Sequence, residues 1–204
     1  MSKAFLHIGC GEKRKAQTTS GFNTAEWSEV RFDIDSAVKP DVIGTMTDLS
    51  AIPDQSFDAL FSSHNIEHLY PHEVGVALEG FVRILKPDGF LVVTCPDLRS
   101  ICQLVADDKL TEPAYVAPSG PVSPLDVLYG FRPSIAAGNL YMAHRCGFTQ
   151  KALIGTLRHH GFATVASSSR PHPFYDLWAI ATVTQHAEEL IHALAREHFP
   201  RPKA

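Results

Sequence analysis

Two glycines and an acidic residue near the start of the chain have the spacing of a nucleoside site. Gly9-Cys10-Gly11 directly follows a short apolar run, and glycines at such a bend let the backbone pass close to a ligand. Asp33 closes the next apolar run, where a carboxylate accepts hydrogen bonds from ribose hydroxyls, and Asp35 is the alternative acid. The order of these residues therefore favours a ligand that carries a ribose.

The same region disfavours a dinucleotide. Dinucleotide sites use G-x-G-x-x-G to open a helix whose N-terminus holds a pyrophosphate. Here Arg14 stands in place of the third glycine, and the polar segment 12–23 has no helical pattern. A nucleoside without a phosphate fits these residues better.

A second group of chemistry-bearing residues follows the fourth apolar run. His64-Asn65-Ile66-Glu67-His68 matches the H-x-x-E-H pattern of inverted zinc proteases, and a helix would align its histidines with His72. Pro71 interrupts such a helix, and the segment directly follows a buried strand. We therefore expect no metal here, and a zinc hydrolase using this segment is the minor alternative.

Three residues further along the chain are candidates for contact with a substrate. His144 and Arg145 precede a predicted helix and are placed to fold back over a pocket, where Arg145 offers a fork for a carboxylate or phosphate. Asp97 follows the fifth apolar run and either contacts substrate or stabilises a turn. Because histidine titrates near neutral pH, the candidate general bases are His64, His68 and His144.

The elements that would position these residues alternate along the chain. Short apolar runs predict strands over 4–8, 30–34, 41–44, 57–62, 90–94, 162–166 and 177–183. Helical spacing predicts helices over 73–85, 149–160 and 185–198, with a turn over 86–89. Thr149 is the expected N-cap of the second helix, and Gly161 its stop. This alternation indicates a mostly parallel sheet in one α/β domain over residues 1–204.

The segment 96–140 and the end of the chain depart from this alternation. The segment is broken by prolines at positions 113, 118, 121, 124 and 133. Long irregular segments in compact domains are often functional, so we expect an insertion or lid. Residues 185–204 are expected to form a C-terminal helix and tail, with the last five frayed.

Composition narrows the classes of function. The 204 residues carry a net charge of −4, with 45% hydrophobic and 20% charged residues, which excludes a general basic surface for nucleic acid. The four cysteines are scattered and have no C-x-x-C pair, which favours reduced thiols. No apolar run reaches the roughly 18 residues of a membrane span, and no signal peptide precedes the first strand. We expect a cytoplasmic monomer or homodimer.

Five segments, taken in order, resemble the motifs of class I S-adenosylmethionine-dependent methyltransferases. They are the glycine motif at 6–11, the strand end at 32–35, the turn at 52–58, the segment 63–69 and the turn at 85–91. The resemblance spans residues 4–95. It implies a Rossmann-like fold with a twisted sheet, an antiparallel last strand and helices on both faces, and S-adenosyl-L-methionine as the cofactor.

The resemblance also implies roles for individual residues. The glycine bend would pass beneath the methionyl part of the cofactor, and Asp33 would hold its ribose. The region 45–49 would border the adenine, while Ser63 and His64 would lie near the sulfonium. The cofactor-binding residues implied in this way are His7, Gly9, Cys10, Gly11, Asp33, Ile34, Thr47, Asp48, Leu49, Ser63 and His64.

The expected reaction is in-line methyl transfer to a small molecule or glycan precursor. The place of an Asn-Pro-Pro-Tyr type signature for nitrogen methylation is taken by Cys95-Pro96-Asp97-Leu98, and no nucleic-acid module is present. Two departures from the family pattern keep a second hypothesis open. His7 stands where many relatives have an acid, and Lys13 where many have a third glycine. The alternative is a module that binds the cofactor without catalysis.

Overall fold

The strands of the protein follow the predicted alternation. The computed structural model describes residues 2–200, so Met1 and the end of the predicted tail, 201–204, lie outside the described residues. The strands are β1 (Lys3–Ile8), β2 (Trp27–Asp33), β3 (Val42–Ile43), β4 (Phe57–Ser63), β5 (Leu85–Pro96), β6 (Tyr115–Ala117), β7 (Gly120–Val122), β8 (Thr164–Arg170) and β9 (Asp176–Thr182).

Seven of these strands form one sheet in the order β3-β2-β1-β4-β5-β9-β8, while β6 and β7 pair in a separate hairpin. Strands β1 to β5 are parallel to one another. Strand β9 is antiparallel to both β5 and β8. The predicted mostly parallel sheet with an antiparallel last strand is therefore confirmed.

Helices cover both faces of this sheet. They are α1 (Pro71–Ile84), α2 (Leu98–Ala106), α3 (Pro124–Tyr129), α4 (Arg132–Ala136), α5 (Gln150–His159) and α6 (Glu188–His198). Strand side chains alternate between faces, so Leu6 and Ile8 pack with α1 and α5, whereas Phe5 packs with α6. The strands read as near-continuous apolar runs because both faces are buried.

The segment 96–140 has more regular structure than its prolines suggest. It contains α2, the β6–β7 hairpin, α3 and α4. These pack around a cluster of their own, which includes Ile101, Val122 and Val127. Pro124 and Pro133 lie in the first turns of α3 and α4, where a missing N–H costs nothing, so these prolines start helices instead of breaking them. Its role as an insertion or lid stays a prediction. We call the segment 96–140 the cap.

The other predicted boundaries of strands and helices lie closer to those of the structure. The predicted turn at 86–89 lies within β5, next to a register irregularity against β4. Thr149 caps α5 as expected, since its side chain accepts a hydrogen bond from Ala152 N at 3.3 Å.

Within residues 2–200, no helix combines the length and apolar character that crossing a bilayer requires. Cys10, Cys95, Cys102 and Cys146 are all free thiols.

The last residue of α6 couples the fold to pH. His198 is 2% exposed, packs against Phe22 and Phe90, and lies 2.7 Å from Thr19 Oγ1. Burial lowers its pKa from 6.5 to about 4. Between these two values the unfolded chain takes up a proton that the folded chain does not. Stability is therefore full above pH 6.5 and is lost as the pH falls towards 4.

We expect this one group to remove about 3 kcal/mol of stability across that interval. Urea unfolding at a series of pH values measures the slope, and His198→Gln should flatten it. His192→Gln, at an exposed position on the same helix, is the matched control and should leave the slope unchanged. An unchanged slope in His198→Gln would contradict the assignment.

Candidate active site

The glycine bend lies where the connections from the sheet diverge. Strand β1 lies between β2 and β4, so the carboxyl ends of these strands open a crevice at a topological switch point. Gly9 and Gly11 have φ of +61° and +51°, a region that favours glycine. Around Gly11, a Cβ would meet no atom within 4 Å, so the space above this residue is open.

Gly9 is required by the protein itself. A Cβ there would lie 2.1 Å from Asn65 Oδ1, so a neighbouring side chain already excludes a Cβ at this position, and a close approach of ligand to Gly9 stays a prediction. Asn65 Nδ2 donates to Ile8 O at 2.9 Å and to Ser63 O at 3.1 Å. This amide therefore ties the ends of β1 and β4 together beneath the bend.

Asp33 lies at the end of β2 and is 8% exposed. Its Oδ2 accepts a hydrogen bond from Gly11 N at 2.7 Å, and its Oδ1 accepts one from Asp35 N at 2.9 Å. Since each carboxylate oxygen has two lone pairs, both keep capacity for a further donor. Asp35 is exposed and caps the following turn through Ala37 N.

A buried arginine that the sequence analysis did not single out holds the bend in place. Arg31 is 2% exposed, and its guanidinium donates to four main-chain carbonyls. These belong to Gly11, Lys13, Val38 and Lys39. Segment 12–23 contains only a short 3-10 turn at Lys15–Gln17. No helix therefore follows the bend, and the hydrogen bonds of Arg31 to these carbonyls hold the loop instead. The sequence feature that could have identified Arg31 is a positively charged residue within the otherwise apolar run of β2.

His7 lies on the sheet face opposite to Leu6 and Ile8. Its Nδ1 donates to Glu29 Oε1 at 2.7 Å, and its ring lies 5.2 Å from that of Phe61. Burial lowers the pKa of His7, although the Glu29 carboxylate opposes that change. Glu29 Oε2 in turn accepts a hydrogen bond from Lys15 N at 2.9 Å. The His7–Glu29 pair therefore connects β1 and β2 to the loop that follows the glycine bend. A direct contact of His7 with cofactor stays a prediction.

The predicted adenine border lies beside the end of β2. Ile34 is 45% exposed there. Thr47 is half-buried and its Oγ1 lies 3.0 Å from that of Thr45, while Leu49 is buried in the core. Hydrogen bonds to Ser50 lower the pKa of Asp48, an exposed residue. The described geometry thus brings an exposed apolar side chain and a polar loop to one edge of the crevice.

Two further predicted residues lie at strand ends of the crevice. Burial raises the pKa of the Cys10 thiol to about 11, so it stays protonated. Ser63 Oγ lies 3.2 Å from Thr94 Oγ1, which links the ends of β4 and β5.

A cavity of about 240 Å³ lies under the cap, next to the end of β4. Its wall is mostly apolar and includes Val122, Val127, Phe131, Met142, Phe174 and Tyr175. The polar side chains that line it include His64, Glu67, His68 and His144. The structure therefore brings together the three predicted histidines, although His144 is far from the others in sequence.

Glu67 is the most deeply buried polar group of this cavity. It is 1% exposed, and among the described residues neither carboxylate oxygen has a hydrogen-bond partner. His64 Nδ1 lies 3.4 Å from its Oε1. Burial alone would raise the pKa of Glu67, but His64, with smaller contributions from His68 and His144, holds it below its usual value. The carboxylate is therefore ionised at neutral pH.

The other two histidines are fixed by main-chain carbonyls. His68 Nδ1 donates to Ala143 O at 3.2 Å, and His144 Nδ1 donates to Val127 O at 2.7 Å. Their ring centroids are 4.8 Å apart. Burial lowers the pKa of His144, which favours its neutral form.

The remaining histidine of the sequence pattern does not join this group. Residues Ile66–His68 form a 3-10 turn instead of a helix, so the pattern does not align on one face. His72 is exposed and stacks on Tyr70. The helical arrangement that a zinc protease would need is therefore absent from this described segment.

Arg145 and Asp97 lie outside the cavity lining. The 143–146 segment does fold back as expected, since Arg145 N and Cys146 N donate to Glu67 O at 2.8 and 3.2 Å. The Arg145 side chain is exposed and lies over Tyr70. Asp97 caps α2 and accepts hydrogen bonds from Arg99 N, Ser100 Oγ and Ser169 Oγ. This geometry gives Asp97 a turn-stabilising role.

The sequence of this region matches a known family. The family described as a methyltransferase domain matches residues 6–93, which include the glycine bend, Asp33 and Glu67. Residues 6–93 are therefore similar to a methyltransferase domain. S-adenosylmethionine is the cofactor of this methyltransferase family. No protein of curated function matches the chain in sequence.

Solved structures of several proteins share the fold. A Pyrococcus horikoshii protein is 15% identical with a TM-score of 0.60, over 89% of this chain and 82% of that one. A possible histamine N-methyltransferase of Thermotoga maritima is 17% identical with a TM-score of 0.58, over 90% and 84%. The Burkholderia thailandensis 1,6-didemethyltoxoflavin-N1-methyltransferase is 17% identical with a TM-score of 0.57, over 90% and 72%. At these identities the likeness establishes the fold alone.

The crevice at the carboxyl ends of β1 and β2 fits S-adenosylmethionine. The space above Gly11 is open, Asp33 keeps free lone pairs, and Ile34 offers an exposed apolar surface. The open space at Gly11 suits the methionyl chain, which would lie close to the backbone. Asp33 suits the ribose, and Ile34 suits the flat adenine base. The fit rests on described residues that lie within the matched range 6–93.

Proposed function

We propose that this chain transfers the methyl group of S-adenosylmethionine to a small molecule or glycan precursor that binds in the cavity under the cap. The observation that carries the proposal is the cavity of about 240 Å³, whose lining includes His64 at the end of β4, next to the crevice. The bend at Gly9 and Gly11 would hold the methionyl part of the cofactor, and Asp33 its ribose.

The bound cofactor supplies an electrophilic methyl group, and the protein has to place an acceptor in line with it. Orientation of this kind contributes roughly 7–11 kcal/mol in favourable cases. The apolar wall around Val127 and Phe131 would hold the body of the acceptor, while the polar floor would orient its reacting atom. The cap would exclude water from the site.

His64 is the candidate to accept a proton from the substrate. Its side chain is 46% exposed, so it can exchange protons with solvent. Its Nδ1 lies 3.4 Å from Oε1 of the Glu67 carboxylate, an arrangement that orients the imidazole. His68 and His144 also line this part of the cavity, next to the Glu67 carboxylate.

The size of the cavity argues for a small acceptor. A volume of about 240 Å³ admits a metabolite or one sugar unit. The Burkholderia neighbour was solved with 1,6-didemethyltoxoflavin and S-adenosylhomocysteine bound, so a small acceptor on this fold has a precedent.

The proposal is tested by methyl transfer from S-adenosylmethionine carrying a radiolabelled methyl group. The purified chain is incubated with a cell extract separated into a small-molecule fraction and a macromolecular fraction. We expect label to appear in the small-molecule fraction. Label found only in macromolecules would overturn the substrate class, and absence of both transfer and cofactor binding would overturn the proposed function.

A pair of neighbouring substitutions tests the cavity itself. Ala117 lines the cavity, whereas Val116, beside it on β6, is 77% exposed. Ala117→Trp should fill the cavity and lower methyl transfer at least tenfold, while the affinity for S-adenosylmethionine stays the same. Val116→Trp is the matched control and should retain full transfer. Equal activity of the two variants would show that the acceptor binds elsewhere.

A further inference from the structure

The buried carboxylate of Glu67 needs a partner that its protein neighbours do not supply. Ionised groups are rarely buried unless they are paired and hydrogen-bonded or bind a metal. Glu67 is 1% exposed, yet within residues 2–200 both of its oxygens lack a hydrogen-bond partner. His64 approaches only one of these oxygens, at 3.4 Å. The arrangement therefore leaves room for a cation.

Two histidines face the same point. One ligand atom from each of Glu67, His68 and His144 lies within 4.8 Å of the others. An ion bound at about 2.0–2.2 Å from each ligand atom holds those atoms at most about 4.4 Å apart, so small side-chain shifts would bring the three groups to bonding distance.

The hydrogen bonds of these histidines are those of metal ligands. Each ring donates its Nδ1 proton to a carbonyl, His68 to Ala143 O and His144 to Val127 O. This fixes the tautomer and leaves the Nε2 lone pair free in both rings. Histidine ligands of metals are commonly oriented by a hydrogen bond of this kind.

We propose that Glu67, His68 and His144 bind a divalent transition-metal ion on the acceptor side of the methyl-transfer site. Two imidazoles and one carboxylate suit Zn²⁺, Mn²⁺ or Fe²⁺. The sequence pattern alone predicts no metal here, because Pro71 separates His72 from His68. The site uses His144 instead, which the cap and the 143–146 segment bring against Glu67.

The site suggests the chemistry of the acceptor, and this step rests on the proposed function. Three protein ligands leave coordination positions open, and Glu67, His68 and His144 all line the cavity. A metal ion lowers the pKa of a hydroxyl that it binds, so the ion favours an oxygen acceptor. The hydroxyl proton would pass to His64, the C–O bond would form as the C–S bond of the sulfonium breaks, and the products would be a methyl ether and S-adenosylhomocysteine.

Calorimetric titration of ZnCl₂ and MnCl₂ into the chelator-treated full chain tests the site. We expect one ion per chain, with an affinity that falls at least about 100-fold in Glu67→Gln and in His144→Ala. His72→Ala removes the exposed histidine of the same sequence pattern and should bind the ion as the unchanged chain does. An ion at about 100 times its Kd should also raise the Tm of the unchanged chain by roughly 5–10 °C.

Titration of S-adenosylmethionine into the same proteins separates the two proposals. Unchanged cofactor affinity in Glu67→Gln and His144→Ala would show that both variants are folded. If one variant fails to fold, the ion affinity of the other variant tests the metal site. A chain that binds the cofactor but no ion would overturn the metal site and leave the proposed function intact. Binding of the ion without the cofactor would uphold the site and overturn the proposed function. Undiminished ion binding in His144→Ala would also overturn the proposed ligand set.

Discussion

Replacing Asp33 by Ala is expected to weaken the binding of S-adenosylmethionine at least about 100-fold, since hydrogen bonds to a charged group contribute roughly 1.5–3 kcal/mol each. The carboxylate is positioned for two tasks. It already accepts from Gly11 N at 2.7 Å, which fixes the bend, and its remaining lone pairs face the proposed ribose site. Removing it would loosen the bend and remove the ribose acceptors together.

Calorimetric titration of the cofactor measures this loss. Asp35→Ala is the matched control, because Asp35 is exposed and its side chain serves only the local turn through Ala37 N at 2.8 Å. Its cofactor affinity should stay within a few-fold of that of the unchanged chain. If Asp33→Ala bound the cofactor as tightly as Asp35→Ala does, the ribose would have to be held elsewhere, and the central assignment of the site would fail.

The order and type of the main elements could be predicted because they depend on local patterns. Each strand of the parallel sheet is buried on both faces, so it appears as a short apolar run between turn residues. Helix α1 has one apolar face, which the spacing of Val74, Leu78 and Phe81 reveals. The Thr149 cap and the Gly161 stop are also local signals, and the structure has both.

The details of the site were harder to predict because they depend on contacts between distant segments. Arg31 is an ordinary charged residue in sequence, and only the return of two loops to the end of β2 shows that it binds four carbonyls. His144 joins Glu67 and His68 from 76 residues or more away, through main-chain bonds that no spacing rule describes. His72 has the better sequence spacing, yet it lies on the surface.

Gly9 is a further case in which a contact between distant segments could not be predicted from the sequence. The G-x-G pattern correctly marks a bend with positive φ, but it assigns the same cause to both glycines. In the structure the space at Gly11 is open, whereas the space at Gly9 is filled by the Asn65 side chain. The two glycines therefore make different predictions, one for ligand binding and one for stability.

Gly9→Ala should destabilise the fold by about 3–4 kcal/mol. An alanine with positive φ costs roughly 1–2 kcal/mol, and each hydrogen bond lost when Asn65 is displaced adds about 1 kcal/mol. The displaced amide would give up its bonds to Ile8 O and Ser63 O, which hold β1 to β4. Urea unfolding should show that Asn65→Ala combined with Gly9→Ala costs less than the sum of the two single changes, because the overlap is then removed.

Gly11→Ala has the same backbone strain but no overlap, so we expect a stability loss of only about 1–2 kcal/mol. Its Cβ would instead project into the open space that the cofactor is proposed to occupy, and the affinity for S-adenosylmethionine should fall at least tenfold. Measured side by side, the two variants separate a glycine needed by the protein from one needed by its ligand. Equal stability losses would show that the overlap of a Cβ at position 9 with Asn65 costs nothing, and an unchanged cofactor affinity in Gly11→Ala would show that the open space has no occupant. Either result would contradict this division.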